Sequence, residues 1–271
     1  MMDKYCVIGN PIAHSKSPEI HPVFAAQTGQ DLSYERCLAP LDGFADTVRR
    51  LVAESYRGAN VTLPFKLEAV RVCTRLEERA RAAGAVNTLV FAGGEIIGDN
   101  TDGPGLVADI TRNAGVAIRA KRVLLLGAGG AARGALLPFL NEGPREIVIA
   151  NRTVATAEAL ARDFGQHGVP VSGAGFADVE GSFDIVVNAT SGSLAGDVPP
   201  VPATVFRPGT LALDMMYGNK PTVFMDFAAG YGAVTRDGLG MLVEQAAEAF
   251  AIWRGVRPAT AAVLEKMRPH S

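Results

Sequence analysis

Four short apolar runs mark the second half of the chain, at residues 123–126, 147–150, 184–188 and 211–214. Each is too short for a buried helix and none alternates, which is the pattern of strands in a parallel sheet covered on both faces. An Ala/Leu-rich stretch, 131–140, separates the first two runs and is followed by Asn141 and Gly143; residues 154–164 follow the second run and end before Gly165. Gly or Asn just past an apolar-periodic run marks a helix C-terminus, so both stretches are predicted crossover helices. Strand, helix, strand, helix in this order predicts a doubly wound α/β domain with a parallel sheet.

The first hundred residues repeat the theme less cleanly, with strands predicted at 5–8, 58–62 and 86–91. The last runs through Ala92, Gly93, Gly94 and Glu95, a hairpin turn, into 96–98. One helix is predicted to open at Ser17 and Pro18, with Ser as cap and Pro in the first helical position, and another over 76–83 ends at Gly84. Near the C-terminus Leu242, Ala246, Ala249 and Trp253 recur at helical spacing, predicting one helix over 240–254 ended by Gly255. Gln245 falls on that same apolar face, where an amide needs either the protein's own backbone or a ligand as partner. The expected organisation is therefore two α/β domains: 1–102 completed by the returning segment 237–271, and 103–236.

Composition narrows the function. With 271 residues the chain has room for about two domains of ~150 residues. Its net charge of −2 lacks the positive excess that nucleic-acid binding requires. Cys6, Cys37 and Cys73 are odd in number and far apart, which indicates neither a disulfide framework nor a metal site and suits a reducing compartment. No apolar stretch approaches the ~20 residues that span a bilayer, so a soluble, cytoplasmic protein is expected, with no membrane partner. Its 30 glycines, in a chain without low-complexity tracts, must serve particular turns.

Directly after the 123–126 run come Gly127, Ala128, Gly129, Gly130, Ala131 and Ala132, the pattern G-x-G-x-x-A. One glycine makes the tight turn, one lets the backbone approach a pyrophosphate, and the small third residue packs helix on strand, with phosphates at the helix N-terminus. At the end of the second strand an NAD site usually carries Asp or Glu, whereas this chain has Asn151, Arg152 and Thr153. Loss of the carboxylate and gain of a guanidinium favour a 2′-phosphate, hence NADP(H). Thr153 is also placed to cap the next helix. Asn188, Ala189, Thr190 and Ser191, after the third strand, sit where a nicotinamide half would pass.

The first domain holds a polar set: His14 to Pro18, Asn60, Thr62, Lys66, Asn87, Thr88, and Asp99 to Gly103. With the blocks at 9–18, 58–66, 84–88, 98–103, 127–131, 151–153, 188–191 and 237–245, the chain resembles the shikimate dehydrogenase family in order from residue 5 to about 258. The resemblance implies a substrate domain and a Rossmann-type NADP domain, and interconversion of 3-dehydroshikimate and shikimate in the aromatic amino-acid pathway. It implies Lys66 and Asp102 as the catalytic pair. Ser15, Ser17, Asn60, Thr62, Asn87, Tyr217 and Gln245 would bind substrate, the serines and Tyr217 at its carboxylate. Gly127 to Ala131, Asn151 to Thr153, Thr190, Met215, Gly238 and Met241 would line the cofactor side.

Reduction of a ketone by hydride puts charge on oxygen and calls for a proton donor; the reverse direction calls for a base. Lys66 serves either role, and a neighbouring carboxylate favours its charged form, so donor and oxyanion stabiliser is the expected role in reduction. His14 and His21 are read as structural and Lys16 as a surface charge. Where many members carry a second basic residue, this chain has Thr156, so phosphate discrimination rests on Arg152. Two alternatives compete: a quinate/shikimate dehydrogenase, against which both serines speak, and a non-catalytic sensor of NADP or shikimate, against which Lys66 and Asp102 speak. A monomer or homodimer is expected.

Overall fold

The computed structural model describes residues 2–268 and divides the chain into two compact units. The first runs to Gly105 and resumes over Val243–Met267; the second is Leu106–Leu242, with Arg268. Residue 1 and residues 269–271, the end of the expected returning segment, lie outside the described residues. The divide falls a few residues beyond 102 and 237 for local reasons. Asp102 opens a helix, Asp102–Ala108, whose first turn stays with the first unit. In the helix Leu239–Arg254 the first turn lies against Asp109: a Cβ on Gly240 would sit 1.8 Å from its Oδ1. Asp109 is itself held by Arg236 at 2.6 and 2.7 Å.

The first unit is built on β1 (Asp3–Gly9), β2 (Leu32–Leu38), β3 (Tyr56–Val61), β4 (Arg75–Leu76), β5 (Thr88–Ala92) and β6 (Glu95–Asp99), in the order β2-β1-β3-β5-β6-β4. Strands β1, β2 and β3 are parallel, and β5 runs antiparallel to β3 and β6. The β5–β6 hairpin turns at Gly93 and Gly94, with φ +59° and +82°, values that an L side chain adopts only under strain. Ile8, Phe44, Val61, Phe65 and Leu89 fill the core on one side. Helix Ser17–Thr28 begins as expected, but Ser17 is not its cap. Lys16 holds that position, and its side chain makes no capping bond.

The second unit carries β7 (Arg122–Leu126), β8 (Glu146–Asn151), β9 (Val171–Gly175), β10 (Ile185–Asn188), β11 (Leu211–Asp214) and β12 (Val234–Arg236) in the order β12-β11-β10-β7-β8-β9. Every pair is parallel. The residues of β10 and β11 are all buried, which explains the apolar runs that precede Asn188 and Asp214. The chain leaves β7 toward β8 and later returns on its other side as β10. That reversal leaves a crevice at the carboxyl ends of β7 and β10, where ligands of such sheets bind. The sheet is the doubly wound one expected. Among the described residues no helix is long and apolar enough to cross a membrane.

Candidate active site

In the first unit the polar residues converge at one end of three strands. Register pairs Asn60 with Thr88 and Thr88 with Asp99, bringing the ends of β3, β5 and β6 side by side. Lys66 lies in the loop after β3. Phe65, buried and stacked on Phe44 at 4.9 Å, anchors that loop, and Lys66 O accepts from Val86 N at 2.9 Å. Lys66 Nζ reaches Asp102 Oδ2 at 2.6 Å. The other carboxylate oxygen, Oδ1, accepts from Asn87 Nδ2 at 2.9 Å. Both side chains of the ion pair remain partly exposed, 30% for Lys66 and 24% for Asp102, so a ligand can reach them.

Asn87 is 2% exposed and its amide is heavily engaged. Its Oδ1 accepts from Thr101 N at 2.8 Å and Thr88 Oγ1 at 2.9 Å. Its Nδ2 donates to Asp102 and to Thr101 Oγ1 at 3.0 Å, with Gln245 Oε1 at 3.4 Å. Gln245 reaches this cluster because its helix passes over Gly105, where a Cβ would lie 2.6 Å from Gln245 N. Asn60 joins through Nδ2, which donates to Asn87 O and Thr88 Oγ1, both at 3.2 Å, and its Oδ1 accepts from Tyr34 at 2.7 Å. Thr88 and Thr101 belong to the polar set read from the sequence, whereas Gly105 escaped sequence reasoning; the signal available for it was its placement three residues after Asp102.

Ser15 is half-buried and Ser17 buried. Ser15 Oγ accepts from Ser17 N at 3.4 Å, and Arg36 on β2 donates to Ser15 O at 2.7 Å. Thr62 is half-buried, its N bonded to Ile8 O at 2.9 Å. His14 is exposed. His21 is buried and stacked on Tyr34 at 4.1 Å, neither ring nitrogen has a hydrogen-bond partner among the described residues, and burial pushes its pKa down to about 3. Tyr217 belongs to the second unit and is exposed, its phenol held above the ordinary range by partial burial and then by the Asp237 charge.

In the second unit a cleft of about 500 Å³ opens at the ends of β7, β8 and β10. Gly127, Ala128, Gly129, Asn151, Arg152 and Thr190 are among its lining residues. Gly130 and Ala131 form the first turn of the helix Gly130–Asn141 beside it. Gly127 is demanded by the backbone: φ is +102°, and a Cβ would meet Thr190 Cγ2 at 3.1 Å. Among the described residues nothing demands Gly129 or Gly130: neither has positive φ, and no atom lies within 4 Å of a Cβ at either place. The vacancy suits a pyrophosphate at the helix N-terminus, and the residues present fit a dinucleotide. Arg152 is exposed, and among the described residues no hydrogen bond or ion pair holds it. Thr153 stands at the N-cap of helix Val154–Phe164 without a side-chain capping bond. Met215, Gly238 and Met241 lie outside the cleft lining; a Cβ on Gly238 would be 2.1 Å from Met215 O, and Met241 is half-buried. Among the described residues no cluster of His, Cys, Asp or Glu suits a metal ion.

Together these features define a class: a two-domain α/β oxidoreductase with one domain for a dinucleotide. Profiles described as "Shikimate dehydrogenase substrate binding domain", "Shikimate / quinate 5-dehydrogenase" and "Shikimate 5'-dehydrogenase C-terminal domain" match residues 7–89, 109–195 and 238–268. The chain belongs to the shikimate dehydrogenase family. It is 63% identical over 269 residues to a protein of Herminiimonas arsenicoxydans named "Shikimate dehydrogenase (NADP(+))", covering 99% of this chain and 98% of that one. Among solved structures, an Ael1 enzyme from Pseudomonas putida superimposes with a TM-score of 0.95 at 50% identity, covering 99% of both chains. Shikimate 5-dehydrogenase from Thermus thermophilus, in complex with NADP(H) and shikimate, superimposes with 0.84 at 32% identity, covering 97% of this chain and 98% of that one.

Proposed function

We propose that the enzyme catalyses the reversible reduction of 3-dehydroshikimate to shikimate with NADPH, the first unit holding the substrate and the second the cofactor. The observation that carries this reading is the Lys66–Asp102 pair, joined at 2.6 Å and backed by the Asn87 amide. The bound reduced nicotinamide supplies hydride to the carbonyl carbon. Lys66, as an ammonium, stabilises the charge that gathers on the carbonyl oxygen and gives it a proton; in the oxidative direction its neutral amine takes the hydroxyl proton. Asp102 orients Lys66, and Asn87 orients Asp102. Ser15, Ser17 and Tyr217 bind the carboxylate of the substrate, and Asn60, Thr62 and Gln245 its ring hydroxyls. On the cofactor side Gly127 to Ala131 take the pyrophosphate, Asn151, Arg152 and Thr153 the 2′-phosphate ribose, and Thr190, Met215, Gly238 and Met241 the nicotinamide half. The enzyme works in the cytoplasm, as a monomer or homodimer.

Oxidation of shikimate by NADP, followed through the ultraviolet absorbance of reduced nicotinamide, tests the assignment, with quinate and NAD as controls. Turnover with shikimate well above quinate supports it. No turnover with shikimate overturns it, and equal turnover of quinate moves the assignment to the broader quinate/shikimate activity.

A further inference from the structure

Asp214 ends β11 with its side chain fully buried, and among the described residues no cation pairs with it. It accepts three hydrogen bonds from neutral donors. Ser193 Oγ and Thr222 Oγ1 both reach Oδ2 at 2.6 Å, and Met216 N reaches Oδ1 at 3.0 Å. Burying a carboxylate is costly unless such bonds repay it, and nothing in the reaction assigned above uses this one.

Its bonds lead to the cofactor cleft, and the proton on each step is fixed by geometry. The Thr190 backbone N–H lies 3.1 Å from the Asn188 side chain. An N–H only donates, so the atom facing it is the Asn188 carbonyl oxygen, and the Asn188 amino group faces the other way, 3.2 Å from Ser193 Oγ. Ser193 accepts there and spends its own proton on Asp214. At the near end Thr190 Oγ1 lies 2.7 Å from the same Asn188 oxygen, so the Thr190 proton is also spent. Gly192 N donates to Thr190 Oγ1 at 3.4 Å. What Thr190 offers the cleft that it lines is therefore an acceptor.

We propose that Asp214 is a positioning residue for the cofactor: through Ser193 and Asn188 it holds Thr190 as an acceptor, so that the cleft recognises an N–H or O–H on the nicotinamide half of the dinucleotide. The inference rests on the cofactor reading above. That reading also says which half is concerned. Arg152 follows β8 and Thr190 follows β10, on opposite sides of β7. A 2′-phosphate at Arg152 leaves the nicotinamide half for Thr190.

The test measures binding of NADP and of adenosine 2′,5′-bisphosphate, which lacks the nicotinamide half, to the full-length protein by calorimetry. Ser193→Ala cuts the chain while leaving Thr222 and Met216 on Asp214; Asp214→Asn puts an amino donor where only acceptors stood; Ser193→Thr keeps the hydroxyl. The first two are expected to weaken NADP about fivefold to tenfold, the effect of one hydrogen bond, and to leave the bisphosphate within about twofold. Ser193→Thr is expected to bind both as the wild type does. Unchanged NADP binding in Ser193→Ala, or equal weakening of both ligands, overturns the inference. Failure of the wild type to bind either ligand overturns the cofactor reading itself.

Discussion

Asp102 is held from both sides, by Lys66 on one oxygen and by Asn87 on the other, at 2.6 and 2.9 Å. The carboxylate cannot turn without breaking one bond, and so it fixes where the Lys66 ammonium points. In the proposed reduction Lys66 gives its proton from that fixed position.

Removing the Lys66 charge while keeping its length separates chemistry from binding. Lys66→Met is expected to lower kcat by roughly 10²–10⁴-fold, the range of a positioned acid–base group, with little change in shikimate affinity. Steady-state kinetics beside direct binding measurements check this, and a loss of only a few fold would remove Lys66 from the proton-transfer role.

Among the described residues Arg152 has no partner to lose, so its replacement reports on the ligand. Arg152→Gln is expected to lower kcat/KM for NADP by roughly tenfold to a hundredfold, the worth of a charged hydrogen bond, and to leave kcat/KM for NAD unchanged. Because Thr156 supplies no second charge, this one change should bring the two cofactors close to parity. A wild-type enzyme that already used both equally would refute Arg152 as the discriminating contact.

The glycines of the turn after β7 separate ligand demands from fold demands. Gly129→Ala meets open space and an ordinary φ of −86°, so Tm is expected to hold while Kd for NADP rises at least about tenfold, since the methyl takes room the phosphates need. Gly127→Ala, with φ +102°, is expected to cost about 1–3 kcal/mol of stability. Melting curves and titrations of both variants decide it; a Gly129→Ala protein that binds NADP normally would show that the vacancy serves no phosphate.

His21 makes stability depend on pH. Its folded pKa of about 3 lies below the ~6.5 of an unfolded histidine. Between those values the unfolded chain binds more protons, so stability falls as pH drops through the window. At pH 5 the loss is about 2 kcal/mol relative to neutral pH. His21→Phe preserves the stack on Tyr34 and removes this contribution. Urea denaturation at pH 5 and 7 should show a smaller difference for the variant than for the wild type; equal differences would contradict the assignment.

The strands visible in the sequence are those with a neighbour on each side. Residues 123–126, 147–150, 184–188 and 211–214 lie inside the parallel sheet, where covering on both faces demands unbroken apolar runs. The four strands that escaped, β2, β4, β9 and β12, are the four sheet edges. There Leu32–Leu38 carries Glu35 and Arg36, Val171–Gly175 is rich in glycine, and the other two are only two and three residues long. The site divides in the same way. Lys66, Asp102, Asn87 and Gln245 stand in motifs and were legible. The bond of Ser193 to Asp214 links positions 21 residues apart on different elements, and no local pattern announces it.

The glycine turn between β5 and β6 sits at the far end of the strands whose other ends carry Thr88 and Asp99. Five residues of extended chain separate turn and site, about 16 Å at the rise of a β-strand. The turn is exposed, and among the described residues no atom lies within 4 Å of a Cβ built at Gly93 or Gly94. It therefore offers a place to splice in an affinity peptide or to carry a fluorophore, a handle fastened to the same hairpin as the chemistry yet remote from it.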